Sequence, residues 1–254
     1  MLLALDIGNS NTVAGVFDGN RLLDHFRLTS NLKMTVDECG FFVLGLLDKL
    51  KIVPDQIDRV IIASVVPRLT PVYRKMAGKY LNCEAIMVSA DLKLPIKIGY
   101  DNPAAVGADR IANAVAGFAK FGGPIIIVDY GTTTNFDVVT ADGVYLGGAI
   151  APGPETSAEE LARRAARLFE VTIEPPRTVI GRNTADSIKS GLFYGTIGQV
   201  DRLVELIIKE LGGKARVIAT GGLAAEFSGY SKYIESTHPE LTLEGLKIIA
   251  DSPT

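Results

Sequence analysis

The sequence predicts an α/β protein built from two related halves, and three observations carry that expectation. A short apolar strand running into a polar turn that opens with Asp-x-Gly occurs twice, once leading to Asp6 and once to Asp129. Asp6 aligns with Asp129 and Gly8 with Gly131 at one common offset, close to half the chain, which is the mark of an internal duplication. Further on, the apolar run 59–64 resembles the run 216–221, each with a hydroxyl residue near its end. This second offset is longer than the first, so the second half is expected to carry extra residues, placed in the stretch after Gly147.

Taken in order, residues 2–5 and 13–17 read as strands around the first polar turn, and Asp18-Gly19-Asn20 marks a hairpin. Residues 36–50, 71–80 and 110–120 show helical spacing of Phe42, Leu46 and Leu50, or of Ile111, Val115 and Phe118. In the second half, 125–128 and 136–139 repeat the two strands, with Asp142-Gly143 as the turn. The segment 157–168 places Ala158, Leu161, Ala165 and Leu168 on one helical face, and 184–211 reads as one long helix, continuous from Asp186. Its Gly191, Gly195 and Gly198 lower helix propensity but allow close packing. The boundary between halves is expected at 118/119, with a cleft between 1–118 and 119–254.

Composition removes several classes of function. With 47% hydrophobic and 22% charged residues among 254, the chain is too apolar for intrinsic disorder. Lys plus Arg number 26 against 29 Asp plus Glu, a net charge of −3 without a basic stripe, which argues against nucleic acid as a partner. No apolar run approaches the roughly 20 residues that span a bilayer, and Asp6 interrupts the N-terminal run, so neither membrane nor secretory leader is expected. Cys39 and Cys83 lack metal-ligand spacing, and His25 and His238 stand far apart. Reduced thiols in a cytoplasm are expected, and the chemistry falls to carboxylates and backbone amides.

Both Asp-x-Gly turns suit phosphate. Glycine admits close approach, backbone amides donate hydrogen bonds, and the carboxylate can hold a cation or its water. One such turn is explained by hairpin geometry alone, whereas two at equivalent places suggest a nucleotide clamp. No P-loop, kinase catalytic loop or Rossmann glycine pattern competes. A third turn, Thr220-Gly221-Gly222, follows a buried strand and is a place to hold adenosine. The densest polar segment runs from Tyr100 to Arg110. Asp109 stands just ahead of a helical pattern, where it is expected either to cap the helix or, ionised and of low pKa, to take a proton from a substrate hydroxyl while Arg110 holds an anion.

These motifs, in this order, resemble the type III pantothenate kinases. The resemblance rests on Asp6-x-Gly8-Asn9, Tyr100-x-Asn102-Pro103 leading to Gly107-Ala108-Asp109-Arg110, Asp129-x-Gly131-Thr132, Gly147-Gly148-x-Ile150-x-Pro152-Gly153 and Thr220-Gly221-Gly222. It spans nearly the whole chain. That family belongs to the acetate and sugar kinase, chaperone ATPase and actin superfamily, which implies two duplicated ribonuclease-H-like lobes with an interlobe nucleotide cleft.

The resemblance implies ATP-dependent phosphorylation of pantothenate on its 4′-hydroxyl, the first step of coenzyme A biosynthesis. It further implies that Asp6, Ile7, Gly8, Asn9, Ser10, Asn11, Thr12 and Val13 contact ATP, with Mg2+ near Asp6, and that Thr132 binds ATP from the second lobe. Asp129 would hold K+ or NH4+. Tyr100, Gly107, Ala108, Asp109, Arg110 and Thr184 would bind pantothenate, with Asp109 as the catalytic base, and Thr184 would also cap the long helix. A homodimer is implied, with the glycine-punctuated helix as a packing surface. Thr133 and Asn135 depart from the Ala and Thr usual in the second phosphate turn, and Phe169 stands where Pro is usual. Two other readings remain at this point: a superfamily kinase for another small hydroxyl substrate, and a non-catalytic nucleotide-sensing regulator.

Overall fold

In the computed structural model, which describes residues 1–252, the N-terminal apolar run forms β1 (Leu2–Ile7). β2 (Asn11–Asp18) returns antiparallel with Ile7 opposite Thr12, and β3 (Arg21–Thr29) continues the meander. On the other side β4 (Arg59–Ser64) runs parallel to β1, with Asp6 opposite Ala63, and β5 (Ala85–Met87) runs parallel to β4. The strand order is therefore β3-β2-β1-β4-β5. α1 (Val36–Lys49) and α2 (Thr70–Leu81) bury Cys39, Val43, Leu47, Tyr73 and Met76 against Leu3, Leu5, Ile7, Val60 and Ile62. A Thr35/Glu38 capping box starts α1, satisfying two amides that the helix itself leaves unpaired. A two-residue strand, β6 (Lys97–Ile98), and a single 3-10 turn at Pro103–Ala105 lead into α3 (Ala108–Phe121).

The second unit repeats the arrangement. β7 (Ile125–Tyr130), β8 (Thr133–Val139) and β9 (Val144–Pro152) form the antiparallel meander. β10 (Arg216–Thr220) runs parallel to β7, and β11 (Ser236–Thr237) runs parallel to β10. Asp129 stands opposite Thr220, as Asp6 stands opposite Ala63. Between β9 and β10 come α4 (Pro154–Arg164) and α5 (Thr184–Glu210), followed after β10 by α6 (Ala224–Ser228). The extra residues expected after Gly147 are thus α4 and the irregular 165–183. Phe193, Ile197, Val200 and Val204 of α5 close the core over Ile126, Val128, Tyr130 and Phe136. Phe227 of α6 stacks on both Tyr130 and Phe193 at centroid distances of 5.4 and 5.1 Å. The fold is α/β with two duplicated ribonuclease-H-like units, as expected.

One segment joins the other unit. The final helix, α7 (Leu241–Asp251), which a division at 118/119 assigns to the second half, clusters with residues Met1–Ala116, while the second unit is Gly117–Pro239. Leu241, Leu243, Leu246 and Ile249 are buried, and the helix packs on β1 and β4. This covers the sheet face opposite α1 and α2, which explains why β1 reads as an uninterrupted apolar run. The helix expected at 157–168 begins earlier, at Pro154, and ends at Arg164, with Leu161 38% exposed.

The Gly147-Gly148 pair sits where β9 departs from regular register beside Val138 and Val139. Gly148 has φ +151, and a Cβ there would collide with the Phe136 carbonyl, so no other residue fits without moving β8. Gly148→Ala is expected to cost about 3 kcal/mol or more, read as a lowered urea midpoint. A midpoint unchanged from wild type would show that β8 and β9 can separate freely.

Candidate active site

In the first unit, the polar turn is closed by the Gly8 amide donating to the Asn11 carbonyl at 3.0 Å. Asn9, Ser10 and Asn11 are exposed at its tip. Ile7 and Thr12 are fully buried. Ser30, which sequence reasoning passed over, braces the loop from the end of β3. Its hydroxyl donates to the Gly8 carbonyl at 2.6 Å and lies 3.1 Å from Thr12 Oγ1, and its amide donates to the Ser10 carbonyl at 2.9 Å. Nothing in the local pattern marks Ser30, because its role arises only once β3 lies beside β2.

The same unit carries the second polar segment. The Val65 amide, just past β4, donates to the Ile7 carbonyl at 3.1 Å, and Val65 Cγ1 lies 3.5 Å from where a Cβ on Gly107 would stand. One residue therefore links the first turn to the start of α3. That same Cβ would lie 2.5 Å from Asp109 Oδ1, so Gly107 makes room for the carboxylate. Tyr100 is exposed, whereas Ala108 and Arg110 are buried.

Asp109 differs from expectation in two respects. It lies inside the first turn of α3 rather than ahead of it, and its Oδ1 accepts the Arg110 amide at 2.8 Å. Burial raises its pKa above the ordinary carboxylate value, outweighing the hydrogen bond and positive charge of Arg110, which act to lower it. The expected low pKa is thus corrected: desolvation disfavours the charged form more than the helix start favours it.

In the second unit, the Gly131 amide donates to the Thr133 carbonyl at 3.0 Å, and the Thr132 carbonyl accepts from the Gly153 amide at 3.0 Å and from Thr156 Oγ1 at 2.7 Å. Thr132 itself is exposed. Thr133 Oγ1 donates to Asn135 Oδ1 at 3.2 Å, so the two departures from the family pattern pair with each other. Gly221 has φ +93, and a Cβ there would collide with Asp129 Oδ1 and lie 2.5 Å from the Tyr130 carbonyl. The third glycine turn therefore seats against the Asp129 carboxylate. Thr184 is the exposed first residue of α5. The cap is Asn183, whose Oδ1 accepts the Asp186 amide at 2.9 Å, correcting the expectation for Thr184 by one residue.

Among the described residues no group of three or more His, Cys, Asp or Glu could hold a metal ion, and no helix is long and apolar enough to cross a membrane. Both thiols are free and buried, and burial pushes Cys39 up to about 12, so neither is an activated nucleophile.

The duplicated fold defines a class that includes kinases. An activator of 2-hydroxyisocaproyl-CoA dehydratase from Clostridium difficile, solved with bound ADPNP, superposes with a TM-score of 0.56 at 11% identity, covering 98% of this chain and 94% of its own. The ROK hexokinase from Thermus thermophilus gives a TM-score of 0.53 at 14% identity, covering 98% of this chain and 97% of its own. The type III pantothenate kinase model matches residues 2–206. A type III pantothenate kinase from Desulforapulum autotrophicum is 47% identical, covering 100% of this chain and 97% of that protein. Another from Geobacter sulfurreducens is 45% identical, covering 98% of each. The chain belongs to the type III pantothenate kinase family and is a kinase.

Because the folded state binds the Asp109 proton more tightly than the unfolded chain, ionising this carboxyl costs folding free energy. The cost is absent below the unfolded value and grows as pH rises through the raised one. Asp109→Asn is therefore expected to melt at or above the wild-type temperature at pH 8, with the difference shrinking as pH falls. A variant melting several degrees lower at pH 8 would contradict the burial argument.

Proposed function

We propose that the chain transfers the γ-phosphoryl group of ATP to the 4′-hydroxyl of pantothenate, the first step of coenzyme A biosynthesis, with Asp109 as the general base. The observation that carries the assignment of Asp109 is its position: a carboxylate in the first turn of α3, seated in the space left by Gly107, with its proton affinity raised by burial. A base is most effective when its pKa approaches the working pH. As the hydroxyl oxygen bonds to phosphorus, its proton passes to Asp109 and the bond to ADP breaks. Tyr100, Gly107, Ala108, Arg110 and Thr184 form the proposed pantothenate contacts. The residues Asp6 to Val13 and Thr132 form the proposed ATP contacts, led by the exposed tip Asn9-Ser10-Asn11.

Two cations belong to this proposal. Asp6 offers a single carboxylate, which suits Mg2+, an ion that keeps several waters and is otherwise held by phosphate oxygens. Bound there, the ion supplies neutralisation of charge developing on the phosphates. Asp129 Oδ1 and the Tyr130 carbonyl oxygen both face Gly221. Such an all-oxygen set suits K+ or NH4+. We assign the activity to a homodimer in the cytoplasm. The exposed Gly191, Gly195 and Gly198 on α5, with open space around each, support a packing face for a second copy.

Asp109→Asn is expected to lower kcat about 100-fold or more while ATP affinity by calorimetry stays within two-fold. Wild-type turnover in this variant would remove Asp109 as the base. Asp129→Ala is expected to abolish the stimulation of turnover by K+ over Na+, and an unchanged ratio would place the monovalent ion elsewhere.

A further inference from the structure

The helix α7 lies beyond the residues matched by the family model, yet it packs against the two elements that follow the polar segments of the first unit, β2 and α3. On one side Leu243 presses into β2, where a Cβ on Gly15 would lie 2.8 Å from Leu243 Cδ1. Gly15 follows the nucleotide turn by two residues beyond Val13. On another side α7 meets α3. Thr242 Oγ1 donates to Asn113 Oδ1 at 2.8 Å, and Gly245 sits so close that a Cβ would collide with the Ala112 carbonyl. Asn113 is fully buried and lies one helical turn after Asp109, on the same face of α3. A third attachment reaches the turn after β2, away from α3: Lys247 Nζ bonds Asn20 Oδ1 at 3.1 Å and pairs with Asp251.

From this juxtaposition we infer that Thr242 and Gly245 are positioning residues for the phosphoryl transfer. α7 is a spacer wedged between the β1–β2 hairpin and α3, and it sets the distance and rotation of Asp109 relative to the nucleotide turn. A hydrogen bond from the half-buried Thr242 to the buried Asn113 fixes rotation of α3 about its axis. The helix-to-helix contact at Gly245 fixes the approach, since the backbone of Ala112 lies where any side chain would be. A helix held in this way moves as a unit, so a shift at Asn113 is felt at Asp109. Misplacing a catalytic group by a fraction of an ångström to one ångström is sufficient to slow a reaction strongly without affecting ligand binding at a separate turn. The inference rests on the assignment of Asp109 as the base.

The test is steady-state kinetics of the full chain with ATP and pantothenate for Thr242→Val, Thr242→Ser, Gly245→Ala, Lys247→Gln and Asp109→Asn, each checked for an intact thermal transition. Thr242→Val removes the hydroxyl at nearly constant volume and is expected to lower kcat about ten-fold with KM for ATP within two-fold. Thr242→Ser, which keeps the donor, is expected to restore kcat to within two-fold of wild type. Gly245→Ala is expected to lower kcat at least as far if it folds. Lys247→Gln loosens α7 at the attachment remote from α3 and is expected to lower the melting temperature while kcat stays within two-fold. Thr242→Val with wild-type kcat, or a fall in Lys247→Gln matching that of Thr242→Val, would overturn the positioning role. Wild-type kcat in Asp109→Asn would instead remove the reading on which it rests, so the two failures are told apart.

Discussion

The parallel pairing of the first strand of each unit with its later partner is the constraint on which the rest depends. With β4 on one side of β1 and β2 on the other, Asp6 stands at the end of a central strand, flanked by Val13 and Ala63. The same pairing puts Asp129 between Asn135 and Thr220. Polar groups at the carboxyl ends of central strands are held by backbone hydrogen bonds on both sides, so the backbone itself places a carboxylate there. Loops that follow these strands inherit the placement: Val65 reaches the Ile7 carbonyl, and Gly221 seats against Asp129.

Around this frame Asp109 is held at a cost in stability. Asp109 is buried enough to hold its proton more tightly than a solvated carboxylate, and Arg110 beside it is itself buried. A fold selected for stability alone would put a neutral side chain at this position. The exposed Lys79–Asp37 and Arg163–Glu160 pairs lie at the surface, where such pairs contribute little, and the two main core clusters are built from apolar side chains.

Much of the fold was legible because its signals are local. Uninterrupted apolar runs bounded by Asp-x-Gly turns specified β1, β2, β7 and β8, and the repeat of 59–64 in 216–221 located β4 and β10. The ordered motifs pointed to the family for a physical reason: Gly107, Gly148 and Gly221 stand where backbone or carboxylate occupies the space of a side chain. What was illegible depends on tertiary contact. The raised pKa of Asp109 follows from what covers the start of α3. α7 carries Gly245 in its interior, which reads as a helix breaker until the approach to Ala112 is seen. Asn183 and Thr184 are both good caps, and choosing between them needs the backbone. Leu161 and Leu168 had helical spacing, but the helix ends at Arg164, before Leu168.

The central claim is that this site passes phosphate from ATP to a pantothenate hydroxyl. The most direct measurement is ADP release from ATP and Mg2+ in K+ buffer, with and without pantothenate, with the mass of the product determined. The account predicts release that depends on pantothenate and a product heavier by one phosphate. ATP binding with no pantothenate-dependent release, or release without a phosphorylated product, would contradict it.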